Sequence, residues 1–191
     1  MKSVKKVFFA VAFFAVAVSV SAQMSFGARA GLNVSTINGP HSVADYKPGF
    51  HIGLATQFAM NSAMGIESGL YFSSLGAKYG SESTNAYYLQ LPLAYYYKFN
   101  VGLGLDLYPS AGVYLGYGLS GDNDYFKDKD IAGYGIPGAN RFDMGATVGL
   151  TLQYYKFTIG LGYDHGFLKT NPEGDDSYTN GNIKVSVGYF F

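Results

Sequence analysis

Apolar residues recur at every second position along almost the whole chain after Gln23. In the first such stretch, Phe26, Ala28, Ala30, Leu32 and Val34 alternate with Gly27, Arg29, Gly31, Asn33 and Ser35. A period of two is typical of β-strands that have two unlike faces, and no segment shows a convincing helical period of 3.6 residues. The alternating pattern occurs eight times, so the sequence predicts an all-β fold of eight strands.

Long and short connections between these strands alternate strictly. The long polar segments follow strands one, three, five and seven, and they read TINGPHSVADYKP, SLGAKYGSESTN, GDNDYFKDKDIAGYGIPGANR and KTNPEGDDSYTNG. The short links are centred on Asn61–Ser62, Asn100–Val101 and Tyr155–Lys156. An antiparallel up-and-down meander places all the long connections at one end, as in transmembrane barrels with short periplasmic turns and longer outer loops.

Composition indicates which solvent meets the apolar face. Glycine accounts for 26 of 191 residues and charged residues for 14 %, where about 25 % charged residues is usual. A face of glycine and tyrosine is poorly suited to water, whereas small residues alternating with large ones suit the filled interior of an eight-stranded barrel. Aromatic residues also cluster near both ends of the strands, as in the two girdles that flank a lipid-facing band. We therefore predict an eight-stranded antiparallel up-and-down transmembrane β-barrel, rather than a soluble barrel with an apolar cavity.

The first 22 residues have the features of a secretory signal peptide. Lys2, Lys5 and Lys6 precede an uncharged apolar run, and the small residues Ser21 and Ala22 follow it. The run is shorter than the roughly 20 residues that span a bilayer. We therefore expect a signal peptide at 1–22, a barrel domain at 23–191 and export to the outer membrane. The exported chain has a small acidic excess, which gives no reason to expect nucleic acid as a partner.

Several stretches resemble known bacterial outer-membrane barrels. YLQLPLAYYYKF, PSAGVYLGYGLS, FDMGATVGLTLQYYKFTIGLGYDHGF and the final VSVGYFF are similar to the PorT-like or "porin family" outer-membrane β-barrel domain. The overall plan resembles the small eight-stranded barrels of the outer-membrane protein X and A transmembrane-domain type. The resemblance implies that the barrel assembly machinery recognises the last strand, here Val185, Val187, Tyr189 and Phe191. It also leaves open an accessory role in protein secretion, the role of PorT itself.

Charged residues on the polar face are the candidate functional residues. They are three cations and four carboxylates: Arg29, Lys98, Lys184, Glu67, Asp106, Asp143 and Asp164. Unpaired charges in a narrow lumen would be costly, so we expect an ion-pair network that plugs and stiffens the barrel. Lys98 and Asp106 flank the Asn100–Val101 link, at a spacing that could place them opposite each other.

Two prolines fall within predicted strands. Pro92 and Pro109 lie in strands four and five, and neither has a backbone N–H to donate to a neighbouring strand. A closed barrel offers no free edge for such a residue. We expect a bulge or a missing ladder bond at each.

Motifs that would indicate catalysis or metal binding are weak. The loop containing Asp122, Asp124, Asp128 and Asp130 departs from the calcium-loop pattern, and GYGIPG at 133–138 neither follows a strand nor opens a helix. His41, His51 and His165 have no motif that links them to a serine such as Ser42 or Ser73.

Taken together, these features predict a monomeric, non-enzymatic outer-membrane barrel with a plugged lumen and no cofactor or metal. We expect it to contact outer-membrane lipid and lipopolysaccharide and to interact with surfaces through its outer loops. Two alternatives stay open at this point: a PorT-like accessory of secretion or transport, and an outer-membrane enzyme. The enzyme hypothesis requires His51 or His165 to lie within hydrogen-bond reach of a nucleophile near the outer rim.

Overall fold

A computed structural model describes residues 23–38, 44–79, 82–121, 126, 140–168 and 179–191, and all regular structure among them is β-strand. In these residues no helix has the length and the apolar character that a membrane-spanning helix needs. The strands are β1 (Gln23–Asn38), β2 (Ala44–Asp45), β3 (Lys47–Ala59), β4 (Met64–Tyr79), β5 (Glu82–Tyr97), β6 (Phe99–Gly102), β7 (Leu105–Gly121), β8 (Phe142–Tyr154), β9 (Phe157–Gly166) and β10 (Thr179–Phe190).

The strands form one closed antiparallel cylinder. The order of neighbours runs β4–β3–β1–β10–β9–β8–β7–β5, and β5 pairs in turn with β4, which closes the ring. β6 continues β5 along the edge of β7, and the two-residue β2 pairs with the end of β4. The wall of the cylinder therefore consists of eight strands around its circumference, with β5 and β6 counted as one, and each of these eight is called a stave below. The predicted up-and-down barrel is confirmed.

Alternation along each strand separates an exposed apolar face from a buried polar one. On β1, Leu32 is 70 % exposed and the next residue, Asn33, is fully buried. On β3, Leu54 is 64 % exposed and Ala55 is 1 % exposed. The oily residues thus cover the outside of the cylinder, as the sequence predicts for a barrel whose outer face meets lipid. Asn33 lies in the lumen because a period of two sends neighbouring side chains to opposite faces.

The strand ends differ from the predicted connections at two places. The turn expected around Asn100–Val101 lies at Leu103–Gly104, because Asn100 still pairs with Asp106. Leu103 has a positive φ of 56° and Gly104 one of 77°, the left-handed conformation of a tight turn. At the other end, the segment predicted as a polar loop between strands three and four is mostly a hairpin, since β4 continues to Tyr79 and β5 starts at Glu82. The polar composition of this segment therefore does not indicate an irregular backbone.

Both strand prolines coincide with gaps in the hydrogen-bonded ladders. Between β4 and β5 the register is the same on both sides of Pro92, but pairing is interrupted at Pro92 and the neighbouring Leu91. The Ser68 hydroxyl donates a 2.8 Å hydrogen bond to the Pro92 carbonyl. Pro109 lies where pairing of β7 passes from β5 to β6, again without a change of register. The expectation of missing ladder bonds is therefore confirmed, and the one register shift between β5 and β7 lies elsewhere, at Tyr87–Tyr88.

Candidate functional site in the barrel lumen

The lumen concentrates the polar chemistry of the described chain. Buried polar side chains occur on almost every stave: Asn33, Ser35, Lys47, His51, Gln57, Ser73, Ser74, Gln90, Asp143, Thr147, Thr151, Thr158, Asp164 and Asn182. Between them lies a cavity of about 70 Å³, room for a few water molecules. The lumen is thus the place where this fold brings reactive groups together.

Arg29 and Glu67 form a two-pronged ion pair across the lumen. Arg29 Nη1 and Nη2 donate to Glu67 Oε1 and Oε2 at 2.8 and 3.0 Å, and Gln57 Nε2 donates to Oε2 at 3.3 Å. The side chains are 12 % and 14 % exposed. Parallel N–H···O bonds of this kind are among the strongest charged contacts and fix the geometry of both partners.

Lys184 and Asp164 form a second pair, on β10 and β9, next to β1 on the side away from β3. The two are 2.7 Å apart, and the Thr147 hydroxyl also donates to Asp164 Oδ1 at 2.7 Å. The Asp164 side chain is 3 % exposed. The three residues come from β10, β9 and β8, three neighbouring staves, so the contact fastens the wall laterally.

The remaining two carboxylates differ in their partners. Asp143 Oδ2 accepts hydrogen bonds from Tyr114 Oη at 3.0 Å and Asn180 Nδ2 at 2.9 Å, both neutral groups. Asp106 lies near the inner rim, 2.7 Å from Lys98, and the Lys98 side chain is 35 % exposed. This hydrogen bond raises the pKa of Lys98 above its ordinary value. The structure therefore places three of the four carboxylates beside a cation, and Asp143 among neutral donors.

His51 lies between Asn33 and Ser186. Its Nδ1 is 2.7 Å from Asn33 Oδ1, and its Nε2 is 3.0 Å from Ser186 Oγ. No sequence motif links His51 to Ser42 or Ser73, the two serines considered as partners for a histidine. Ser42 lies outside the described residues, and Ser73, though paired with His51 across β3 and β4, makes no hydrogen bond to it.

Gly31 makes the His51–Ser186 contact possible. In the ladders, Gly31 is opposite His51 on β3 and opposite Ser186 on β10, so the three share one row. A Cβ added to Gly31 would lie 2.6 Å from His51 Cε1 and 2.8 Å from Ser186 Cα. The imidazole ring therefore crosses the space above Gly31 to reach a residue two staves away. The sequence shows all these residues on the polar face, but only the ladder register brings them into one row.

His165 has a different setting. It faces outward, and its ring lies 6.3 Å from those of Tyr163 and Phe167. Its hydrogen-bond contact is with the Tyr163 hydroxyl, at 3.5 Å. It belongs to an aromatic row on the lipid-facing surface and lies apart from the lumen serines. His41 lies outside the described residues.

The residues of the expected assembly signal share the outer face of β10 and the end that follows it. Val185, Val187, Tyr189 and Phe191 are 53, 60, 38 and 71 % exposed, respectively. The intervening Phe190 points inward and packs with Ala55 and Tyr71. In the described part of the chain, no cluster of three or more His, Cys, Asp or Glu side chains could hold a metal ion. The acidic residues Asp122, Asp124, Asp128 and Asp130 and the GYGIPG segment lie outside the described residues.

Comparison with known proteins places this cylinder in a family. A model of the outer membrane protein beta-barrel domain matches residues 19–171. The chain belongs to that family. It is thus an outer-membrane β-barrel protein, and the exposed apolar band is the surface that meets lipid. The match supports the predicted class of barrel, while the narrower likeness to PorT stays a resemblance.

Solved barrels share the fold at low sequence identity. Neisserial surface protein A is 14 % identical, with 88 % of this chain and 99 % of that chain covered and a TM-score of 0.50. The outer membrane enzyme PagL is 10 % identical, with 83 % and 98 % covered and a TM-score of 0.50. Ail, the attachment invasion locus protein of Yersinia pestis, is 17 % identical in its complex with the heparin analogue sucrose octasulfate, with 88 % and 99 % covered and a TM-score of 0.49. No curated protein sequence matches this chain.

Proposed function

We propose that this family member is a non-conducting, monomeric barrel that anchors a set of outer loops at the cell surface. The observation that carries the proposal is the filled lumen. The Arg29–Glu67 pair lies in the lumen and the Lys184–Asp164 pair lies along its wall, and together with their neighbours they leave a cavity of only about 70 Å³. A path this narrow and this charged would stop sugars and metabolites, so the barrel acts as a scaffold.

Aromatic side chains narrow the lumen at its inner end. The rings of Tyr96 and Tyr108 meet edge to face at 5.3 Å, and Lys98 lies 5.9 Å from the centre of the Tyr108 ring. Tyr96 and Tyr108 are each 5 % exposed. Phe190, which is 4 % exposed, fills the same end from the last strand.

A residue from the loop after β7 covers the outer mouth. The Phe126 ring lies 5.6 Å from that of Tyr88, edge to face, and the Arg141 guanidinium lies 5.0 Å from the Phe126 ring centre. Arg141 in turn donates to the carbonyls of Gly118 and Leu119 at 2.9 and 3.1 Å. Phe126 is thus held at the outer end of the lumen by residues of the neighbouring strands β5 and β7 and by Arg141, which directly precedes β8.

The surface role follows from the asymmetry of the two ends. The inner connections are turns such as Leu103–Gly104 and Tyr155–Lys156, while the outer end carries the long segments and the β4–β5 hairpin. Chain length outside the lipid band contributes little to membrane anchoring. We therefore assign the long outer segments to contacts with lipopolysaccharide, host or partner surfaces. We also assign recognition by the barrel assembly machinery to the outward row that ends in Phe191.

Conductance tests the closed lumen. Purified protein in planar bilayers should give no open-channel current, whereas a variant with Arg29, Glu67 and Tyr71 all changed to serine should conduct small ions. Stable channel openings by the unmodified protein would contradict the proposal. A general porin serves as the positive control for reconstitution.

Deletion of the protein tests the surface role. We expect altered adhesion or detergent sensitivity with protein export intact, and rescue by the full chain but not by a variant whose segment 169–178 is replaced by a short Gly-Ser link. Loss of export with adhesion intact would instead favour the secretion-accessory alternative.

A further inference from the structure

We propose that Ser186 is an activated nucleophile, with His51 as its general base and Asn33 as the group that orients the base. The site would accept a small acyl or sulfonyl group. It goes beyond the scaffold role and does not depend on it, because a lumen closed to solute flow can still hold a molecule of a few heavy atoms.

The hydrogen bonds of Asn33 determine which atom donates and which accepts in each contact from Asn33 through His51 to Ser186. Asn33 Nδ2 donates to the carbonyls of Phe50 at 3.0 Å and Ser74 at 3.4 Å. Since those backbone carbonyls can only accept, the amide nitrogen must face them and Oδ1 must face His51. Oδ1 then accepts the Nδ1–H of His51 at 2.7 Å.

With this assignment, His51 is in the tautomer that can act as a general base towards Ser186. With Nδ1 protonated, Nε2 carries a lone pair and points at Ser186 Oγ, 3.0 Å away. The hydroxyl therefore donates to Nε2. A nucleophile, a base and an orienting group connected in this order form the arrangement that activates hydroxyl and thiol nucleophiles on unrelated folds.

The surroundings suit charge development at Ser186. Ser186 and His51 both line the central cavity, as do Arg29 and Lys184, each beside its carboxylate partner, Glu67 or Asp164. Hydrogen-bond donors and dipoles held in place at a partly dry site stabilise an oxyanion more strongly than they would in water. His51 itself is 4 % exposed, so its ring has little freedom to leave Ser186.

The chemistry balances without a cofactor. Ser186 Oγ attacks the carbonyl carbon of a small ester while its proton passes to His51 Nε2. The carbon–oxygen bond to the alcohol then breaks, and the departing oxygen takes the proton back. Water repeats the same steps to release the acid and restore the serine.

Methanesulfonyl fluoride is a probe matched to the size of the cavity. Ser186 Oγ displaces fluoride from sulfur, the Oγ–S bond replaces the S–F bond, and the proton reaches solvent through His51. Folded protein in detergent is treated with the reagent and digested, and each lumen serine is quantified by peptide mass spectrometry. Heat-dependent gel mobility confirms that every sample is folded.

The expected result is a methylsulfonyl group on Ser186 and none on Ser73, which lines the same cavity but whose hydroxyl makes no hydrogen bond to His51. Ser73→Ala should therefore leave the labelling rate unchanged and Ser186→Ala should abolish labelling. His51→Gln should slow it about a hundredfold, the contribution of a general base. Because Ser73 is an internal control in the unmodified protein, the comparison holds even if a variant fails to fold. Absence of label on Ser186, equal labelling of both serines, or an unchanged rate in folded His51→Gln would each overturn the proposal.

Discussion

Removing the charge of Glu67 should destabilise the barrel far more than removing the charge of Asp106. Glu67→Gln keeps the shape of the side chain but leaves the Arg29 guanidinium, whose side chain is 12 % exposed, without a counter-charge. Breaking one partner of a buried pair costs about 3–5 kcal/mol. Asp106→Asn removes the partner of Lys98, whose side chain is 35 % exposed, and exposed pairs contribute about 0.2–1 kcal/mol.

The free energy of unfolding is measured by urea titration in phospholipid vesicles. Heat-dependent gel mobility gives the folded fraction, and tyrosine fluorescence provides a second probe because the chain has 18 tyrosines and no tryptophan. A third variant, Arg29→Met with Glu67→Leu, removes both charges. It should lose less stability than Glu67→Gln, since replacing a whole buried pair by apolar side chains is often neutral.

Two results would refute this reasoning. One is a loss of unfolding free energy for Glu67→Gln that lies within about 1 kcal/mol of the loss for Asp106→Asn. Water would then screen the charges at the two sites to a similar extent. The other is a double variant less stable than Glu67→Gln. In that case the ion pair itself, rather than the desolvated charge left behind, would carry the stability.

Three further predictions concern the wall of the barrel. Gly112→Ala should cost about 1–3 kcal/mol, because the new Cβ would overlap the carbonyl oxygen of Leu93 and lie 2.5 Å from Ala94 Cα on the next strand. Gly116→Ala, whose Cβ would have its nearest atom at 3.5 Å, should be neutral or stabilising by up to about 1 kcal/mol. Equal urea midpoints for the two variants would contradict this. Leu161→Arg in the lipid-facing band should cost about 2–4 kcal/mol and Leu103→Arg at the inner turn about 0–1 kcal/mol in vesicles, and a reversed order would place the band wrongly. Deleting Phe191 should lower the fraction of heat-modifiable barrel in outer-membrane preparations, and undiminished assembly would remove it from the assembly signal.

The fold follows from the sequence because a period of two is a local property. Whether Leu54 and Ala55 face opposite sides depends only on their being neighbours in a strand, so the two faces could be predicted residue by residue. The ends of strands were less predictable. The segment that includes Tyr79 and Glu82 is polar, like a loop, yet antiparallel pairing satisfies its backbone and extends both strands.

The sequence could predict which kinds of contact the lumen holds, but not which residues form them. Opposite charges on one face implied pairing, but the partners depend on the register between strands and on side-chain length. Arg29 reaches Glu67 two staves away, while Asp143 has neutral donors that carry no sequence signal of charge pairing. The His51–Ser186 contact required a further condition, the absence of a side chain at Gly31.

The row His51–Gly31–Ser186 crosses the junction between the first and last staves, and its two reactive members are 135 residues apart in the chain. Contacts between segments this far apart have a large loop-closure entropy, and this one spans the junction where β1 pairs with β10, so we expect it to form only when that junction pairs. The time at which Ser186 becomes reactive during folding would then report when β1 pairs with β10 and the barrel closes. A timed pulse of the sulfonyl reagent during refolding would distinguish sheets still open at that junction from finished cylinders.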